Sequence, residues 1–434
     1  MNSNAPSPSS PPSLSRRTFI ALLLLGFAGQ LAWAVENQFY NTFLYDKITP
    51  NPQAVAWMVA ITAVVSTLTA ILMGTLSDRT RSRWGRRRPY IIGGYVLWGV
   101  LTAAFPAAAL FQPVALGVFM AILFDSLMTY FGATANDAAL SAYVADVTTP
   151  QNRGRVSGAM QIMTWIALLI VYGGAGLIIQ ALGYAFFFYA VGGLVFIIGF
   201  AVIPLLAEPP TIDKPAGSYW SQIASTFRLK NLVAQRDLFL LLISLTCFMA
   251  AFNVFFPYLM IYLQHFLRQP VMESSIIIAV SILVGGILLA VPIGMAVDRF
   301  GRRPVALLAV VCQSLGLVLF SFARSLPALV ITGILWLAPY TAWVIATGAW
   351  TKDLYPEDKR GQFAGYYILF NVAFTMIPGP LLGGWLANTY GIATVIDGKQ
   401  GMVPSPLIFQ VAAGVVLLTL IPLLMTRKGM KREG

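Results

Sequence analysis

The chain has 434 residues, 58% of them hydrophobic and 10% charged, with a mean hydropathy of +0.76. Such a composition cannot furnish the surface of a water-soluble protein this long, so the chain reads as an integral membrane protein. Its net charge of +12 would point to nucleic acid in a soluble protein, but here the placement of the basic residues follows membrane topology, and no nucleic-acid partner is expected.

Residues 1–17 open with a Ser, Pro and Asn-rich stretch expected to be a disordered cytoplasmic tail. Ser15-Arg16-Arg17-Thr18-Phe19 has the form of a twin-arginine export signal, yet the apolar run behind it is too long for a signal peptide and reads as a first helix. Runs long enough to cross a bilayer begin near Thr18, Ala54, Pro89, Val114, Arg155, Tyr184, Asp237, Met272, Pro304, Pro327, Gly361 and Pro406. The expected fold is therefore an all-α membrane protein of twelve transmembrane helices. Residues 18–207 form an N-terminal six-helix half and residues 237–426 a C-terminal one. Residues 208–236 are a cytoplasmic linker with a short amphipathic helix near Tyr219 to Leu229, and residues 427–434 are a cytoplasmic tail.

With the N-terminus in the cytoplasm, the positive-inside rule leaves only Lys47, Arg268, Arg324 and Lys399 on the outer side, out of 28 Lys and Arg. That bias puts both termini in the cytoplasm and supports an even number of crossings. Cys247 and Cys312 lie inside apolar runs, so neither a disulfide framework nor a cysteine metal site is expected; no cofactor or metal is implied.

The two halves repeat. Gly74, Asp78 and Arg79 recur as Gly294, Asp298 and Arg299, and Gly85-Arg86-Arg87 as Gly301-Arg302-Arg303. Asp146, Arg153, Gly154 and Gly158 recur without a gap as Asp353, Arg360, Gly361 and Gly365. These four loops, in this order, resemble the signatures of the major facilitator superfamily. The longer run Ser77-Asp-Arg-Thr-Arg-Ser-Arg-Trp84-Gly-Arg-Arg-Arg-Pro-Tyr90 is similar to sucrose/proton symporters and to the glycoside, pentoside and hexuronide cation symporters. The resemblance implies alternating access, with two halves rocking about a central site.

Read as chemistry, an Asp at a helix end beside an arginine-rich turn can form charge-assisted bonds that favour one conformation. Gly74, Asp78, Arg79, Arg86, Asp146 and Arg153, with Asp298, Arg299, Asp353 and Arg360 as their copies, are the candidate conformational latch. The alternative is that the arginines only orient the chain and bind lipid head groups.

Three carboxylates fall well inside spans: Glu36 in the first, Asp125 and Asp137 in the fourth. A carboxylate at mid-membrane costs about 2.5 to 3.5 kcal/mol on insertion scales, and no Lys or Arg lies mid-span to pair with these, so they are candidates for ion coupling. From the helical rise, Glu36 lies about 15 Å and Asp125 about 18 Å below the outer face, close to one level. Two carboxyls sharing a low-dielectric site suit one exchangeable proton or small cation. Asp137, deeper on the same helix, reads as a second relay site or an inner-gate partner. The alternatives are a permanently protonated carboxyl and a water-facing group.

Gln30, Asn37 and Asn41 stripe the first helix, and Asp125, Thr129, Gly132 and Asn136 the fourth. The second half offers Trp336, Tyr340, Trp343, Thr347 and Trp350 on one face of helix ten, with Asn253 and Asn371 ahead of prolines in helices seven and eleven. Gln30, Asn37, Asn136, Asn253, Trp336, Tyr340, Trp343 and Asn371 are accordingly the candidate solute-binding residues, the aromatics serving either as a stacking platform or as packing.

The expected function is secondary active transport by alternating access, as symport of a sugar or small polar solute with H+ or Na+, by a monomer in the cell membrane among lipids. Proton-driven efflux of amphipathic compounds is the alternative on the same fold, and a non-transporting scaffold or sensor the alternative of another class. No nucleophile and base pair stands out, so an enzyme is not expected.

Overall fold

The computed structural model describes residues 14–207, 218–219, 235–354 and 366–426. The expected helix near Tyr219 to Leu229, most of the linker, the C-terminal tail and Arg360 lie outside the described residues.

The chain enters its first helix, α1 (Arg16–Ile48), at Ser15, whose hydroxyl accepts the Thr18 amide at 3.1 Å and caps the start. Helix α2 (Pro52–Arg79) starts the same way, with the Asn51 side chain accepting from the Gln53 amide at 2.9 Å and proline at its first position. Helices α3 (Arg88–Leu110) and α4 (Val114–Val147) follow, and then one continuous helix, Pro150–Ala201.

That helix is too long for a single crossing. It turns at Gly183, whose φ of 81° and ψ of 170° only glycine adopts without strain. Its arms are numbered here α5 (150–182) and α6 (184–201). The second half holds α7 (Arg236–Phe266), α8 (Val271–Leu288, continued by Ala290–Phe300), α9 (Arg302–Phe322), α10 (Leu326–Leu354), α11 (Tyr366–Tyr390) and α12 (Leu407–Met425). Among the described residues eleven helices are long and apolar enough to span a membrane, and counting the arms of the fifth separately matches the twelve expected crossings.

One departure from an all-helical chain joins α11 to α12. Strands β1 (Ile392–Ile396) and β2 (Lys399–Val403) pair antiparallel, with Ile396 opposite Lys399. The tight link is Asp397-Gly398, both at positive φ, a dipeptide suited to a two-residue hairpin turn.

Large apolar side chains such as Phe119, Ile197, Val291 and Leu308 stand exposed around the outside of the bundle, as lipid-facing positions require. Inside, small residues let helices approach closely: a Cβ on Gly99 of α3 would stand 2.6 Å from the Gly192 carbonyl oxygen of α6. Aromatic clusters fill each half, with Tyr40 stacked on Phe105 at 3.7 Å in the first and Phe248 stacked on Trp343 at 4.4 Å in the second.

Candidate functional site

A small pocket lies between the halves. Glu36, Asn37 and Asn41 of α1, Val59 and Thr62 of α2 and Asp125 of α4 form one wall; Asn253, Phe256 and Pro257 of α7 and Met376 of α11 form the other. Many of these residues sit where a helix departs from α geometry. Glu36 opens a wide π-helical stretch, Glu36–Tyr40, Phe256 and Pro257 stand in a tight 3-10 turn, and Met376 lies between a π stretch and Pro378. Such irregular turns in a membrane are tolerated where the backbone faces a cavity.

The structure brings Glu36 and Asp125 together in this wall. The Thr129 hydroxyl donates to Glu36 Oε1 at 2.9 Å. Glu36 Oε2 and Asp125 Oδ1 are buried with no hydrogen-bond partner, and no cationic side chain lines the pocket. Asp137 stands apart, accepting from the Asn136 amide at 2.8 Å within a second π-helical stretch, Ala133–Leu140.

Of the expected solute-binding residues, Asn37 and Asn253 reach the pocket, as does Asn41 of the same stripe. Asn136 is held by Tyr95, whose hydroxyl donates to its Oδ1 at 2.9 Å, and lies outside the pocket wall, as do Gln30 and Asn371. The aromatics of α10 turn toward α7. Trp343 is fully buried under Phe248, Trp336 meets the edge of Phe255 at 5.4 Å, and half-buried Tyr340 stacks on Phe252 at 4.7 Å. Thr62, Phe256 and Met376 had no polar stripe to mark them and are supplied by helices whose register a single sequence does not disclose.

The loop between α2 and α3 gathers on a residue not singled out from the sequence. Arg87, 3% exposed, donates to the Asp78 carboxylate, to Ser77 Oγ at 2.5 Å and to Asp146 Oδ2 at 3.3 Å, while Arg86 reaches Asp146 Oδ2 at 2.6 Å. Arg153 is exposed and ties back to the Thr148 hydroxyl at 3.3 Å; Arg79 ends α2, and open space surrounds Gly74.

In the other half Arg302 pairs with Asp353, and Arg303 donates to the Leu424 carbonyl at 2.8 Å near the end of α12. Its counterpart is Arg88, which donates to the Ile203 carbonyl at 3.0 Å just beyond α6. These partners align Arg87-Arg88-Pro89 with Arg302-Arg303-Pro304, so the first half carries one inserted arginine. Asp298 and Arg299 are exposed at the end of α8, with Arg299 against the Phe300 ring at 5.3 Å.

At the opposite end of the bundle the halves are tied together. Asp46 of α1 bonds His265 of α7 and Tyr184 of α6, both at 2.7 Å. There Tyr45 donates to the Met402 carbonyl at 2.7 Å, Lys399 to the Ile48 carbonyl at 2.9 Å, and the Met402 amide to the Pro50 carbonyl at 3.1 Å, while beside the pocket Gln38 donates to the Phe256 carbonyl at 2.7 Å.

The sequence matches the family model of the Major Facilitator Superfamily over residues 18–290 and 271–433. The chain belongs to the major facilitator superfamily. It is a multi-pass membrane protein with that superfamily's transporter fold. Two solved structures share the architecture. A mutant of the nucleoside transporter NupG superposes with a TM-score of 0.75 at 15% identity, covering 95% of this chain and all of that one. A bacterial homologue of the human lysosomal transporter Spinster, inward-facing and unoccupied, superposes at 0.65 and 13% identity, covering 96% of both chains.

Among curated relatives, the efflux pump azaK of Aspergillus niger is 31% identical over 123 residues, which is 26% of each chain. The human membrane-associated transporter protein is 27% identical over 190 residues, 40% of this chain and 33% of its own. An uncharacterized symporter of Synechocystis is 37% identical over 67 residues, 15% of this chain and 12% of its own. This chain thus covers no more than about a third of the length of these curated relatives.

Proposed function

We propose that this major facilitator protein is a secondary active transporter that carries a sugar or related small polar solute in symport with H+ or Na+ across the cell membrane, with both termini cytoplasmic. The observation that carries the reading is the Glu36 and Asp125 pair: two carboxyls at mid-membrane in the wall of the pocket between the halves, with no cationic partner among its lining residues. An arrangement this costly in a bilayer is expected where a proton or cation is loaded and released. Amides on both walls, Asn37 and Asn41 opposite Asn253, suit the hydroxyls of a polyol and give each half a hold on the same solute.

Asp137 serves as a relay toward the arginine-loop end, and the Arg86, Arg87, Asp78 and Asp146 cluster sets the balance between the two conformations. The matched segment of the Synechocystis symporter agrees with symport. Proton-driven efflux is the second reading, favoured by the apolar part of the wall, Val59, Phe256, Pro257 and Met376, and by the likeness to the Aspergillus efflux pump. A scaffold that no longer transports has no need of the carboxyl pair, and neither reading involves catalysis.

The deciding experiment is uptake into proteoliposomes of labelled sugars and lipophilic cations, with pH and Na+ gradients imposed separately. Gradient-driven sugar accumulation supports symport. Extrusion of lipophilic cations alone supports efflux, and no movement of any solute under either gradient overturns both.

A further inference from the structure

The polar side chains of the pocket share an orientation. Asn37, Asn41 and Asn253 each turn an amide nitrogen back onto the carbonyl four residues earlier, at 2.8, 2.9 and 2.8 Å. Only the nitrogen of an amide can take that place, because two oxygens would repel, so the assignment follows from chemistry. Each amide oxygen is left free to accept, while each nitrogen keeps one further hydrogen, so the asparagines offer an acceptor first and a single remaining donor second. Thr62 likewise donates its hydroxyl to the Met58 and Val59 carbonyls, both at 3.1 Å, and keeps only acceptor capacity.

Glu36 Oε2 and Asp125 Oδ1 add two buried oxygens without partners. The rest of the wall is Val59, Phe256, Pro257 and Met376; no Lys, Arg, His, Trp or Tyr lines it. A buried acceptor without a donor is costly, and a site where acceptors outnumber donors discriminates against a ligand that brings none of the missing donors. Whenever the pair has given up a proton it carries negative charge, in a setting where charges interact far more strongly than in water.

We infer that this pocket selects solutes by donor count and charge: it admits neutral or positively charged solutes rich in hydrogen-bond donors, and excludes anionic ones such as uronates and sugar phosphates. Glu36 and Asp125 then set specificity as well as coupling, and the three asparagines define which face of a hydroxyl is read. The inference rests on the transport reading of this pocket. It narrows the solutes of that reading to uncharged or amino sugars.

The test measures the charge preference of the pocket apart from solute identity. In a Cys247→Ser, Cys312→Ser background, Met376→Cys places a single thiol on one wall, and Val59→Cys in a second variant places it on the other. Each is treated with methanethiosulfonates of similar size bearing a trimethylammonium, a hydroxyl or a sulfonate, with rates normalised to free cysteine. The cationic reagent is expected to react at least about tenfold faster than the anionic one at both sites, a preference that collapses when Glu36→Gln and Asp125→Asn are combined. Equal or faster reaction of the sulfonate, or no reaction at either thiol with any reagent, overturns the inference.

Protection of the thiol by methyl glucoside, glucosamine and glucuronate forms the second arm. Glucuronate protecting as well as the glucoside overturns the charge selection. If no sugar protects while the reagent preference stands, the sugar reading fails and the charge selection survives.

Discussion

The two six-helix halves descend from one pattern and keep different parts of it. In the first, Arg87 is enclosed: its side chain is 4% exposed and Asp146 12%, with Ser77 and Asp78 closing the ring. In the second, the equivalent Arg302 and Asp353 are 33% and 58% exposed, and Asp298, at the place of Asp78, forms no ion pair among the described residues. Exposed pairs contribute about 0 to 1 kcal/mol, whereas charge-assisted bonds at a shielded site contribute about 1.5 to 3 kcal/mol. The same contrast recurs at mid-membrane, where the first half holds three carboxylates and the second an aromatic cluster around Phe252, Tyr340 and Trp343. The frame repeats and aromatic clusters fill both halves, but the carboxylates inside spans lie in the first half alone.

The largest expected effect sharpens that division. Glu36→Gln and Asp125→Asn should each abolish gradient-driven accumulation in proteoliposomes and leave solute exchange, while Asp298→Asn in the second half leaves accumulation intact. Normal accumulation by both amide variants would remove the functional difference between the halves. Next in size is Trp343→Ala, which should cost about 3 to 5 kcal/mol of stability, the scale for deleting a fully buried aromatic, read as a fall in melting temperature in detergent. A loss of solute affinity with unchanged melting would instead make α10 a ligand platform.

Asp146→Asn should shift the conformational balance by roughly tenfold or more, from the bond strength above, and Asp353→Asn by about fivefold or less. Cysteine labelling at the two ends of the bundle measures both, and equal shifts would show the two loops to be energetically equivalent. The smallest effect is expected from His265→Ala, which removes one of several ties at the hairpin end. Labelling near Asp46 should rise by a few-fold at most, and a larger rise would make that single contact the dominant gate.

How much of this could be read from residues alone differs by the kind of order involved. Helix rise is a fixed length, so counting from loop ends put Glu36 and Asp125 at one depth, and the structure places them in one pocket wall. Charge placement and motif spacing likewise located the spans, including the break near Tyr184, where Gly183 turns the chain. Rotation about a helix axis has no such ruler. The α10 stripe was legible as a face, but not that it turns toward Phe248 and Phe252. Among three consecutive arginines, spacing could not tell that Arg87 is the enclosed one, because the insertion that shifts the repeat is visible only in what Arg88 and Arg303 touch. The β1 and β2 hairpin escaped notice because its strands are short and lie beside a span boundary.

The ties at the hairpin end bear on speed as well as on state. Tyr45, Asp46 and Lys399 draw on separate stretches of α1, α7 and the hairpin, so full opening on that side requires all of these bonds to part. The expected signature is an opening rate on that side that climbs steeply with temperature, read from cysteine labelling near Asp46.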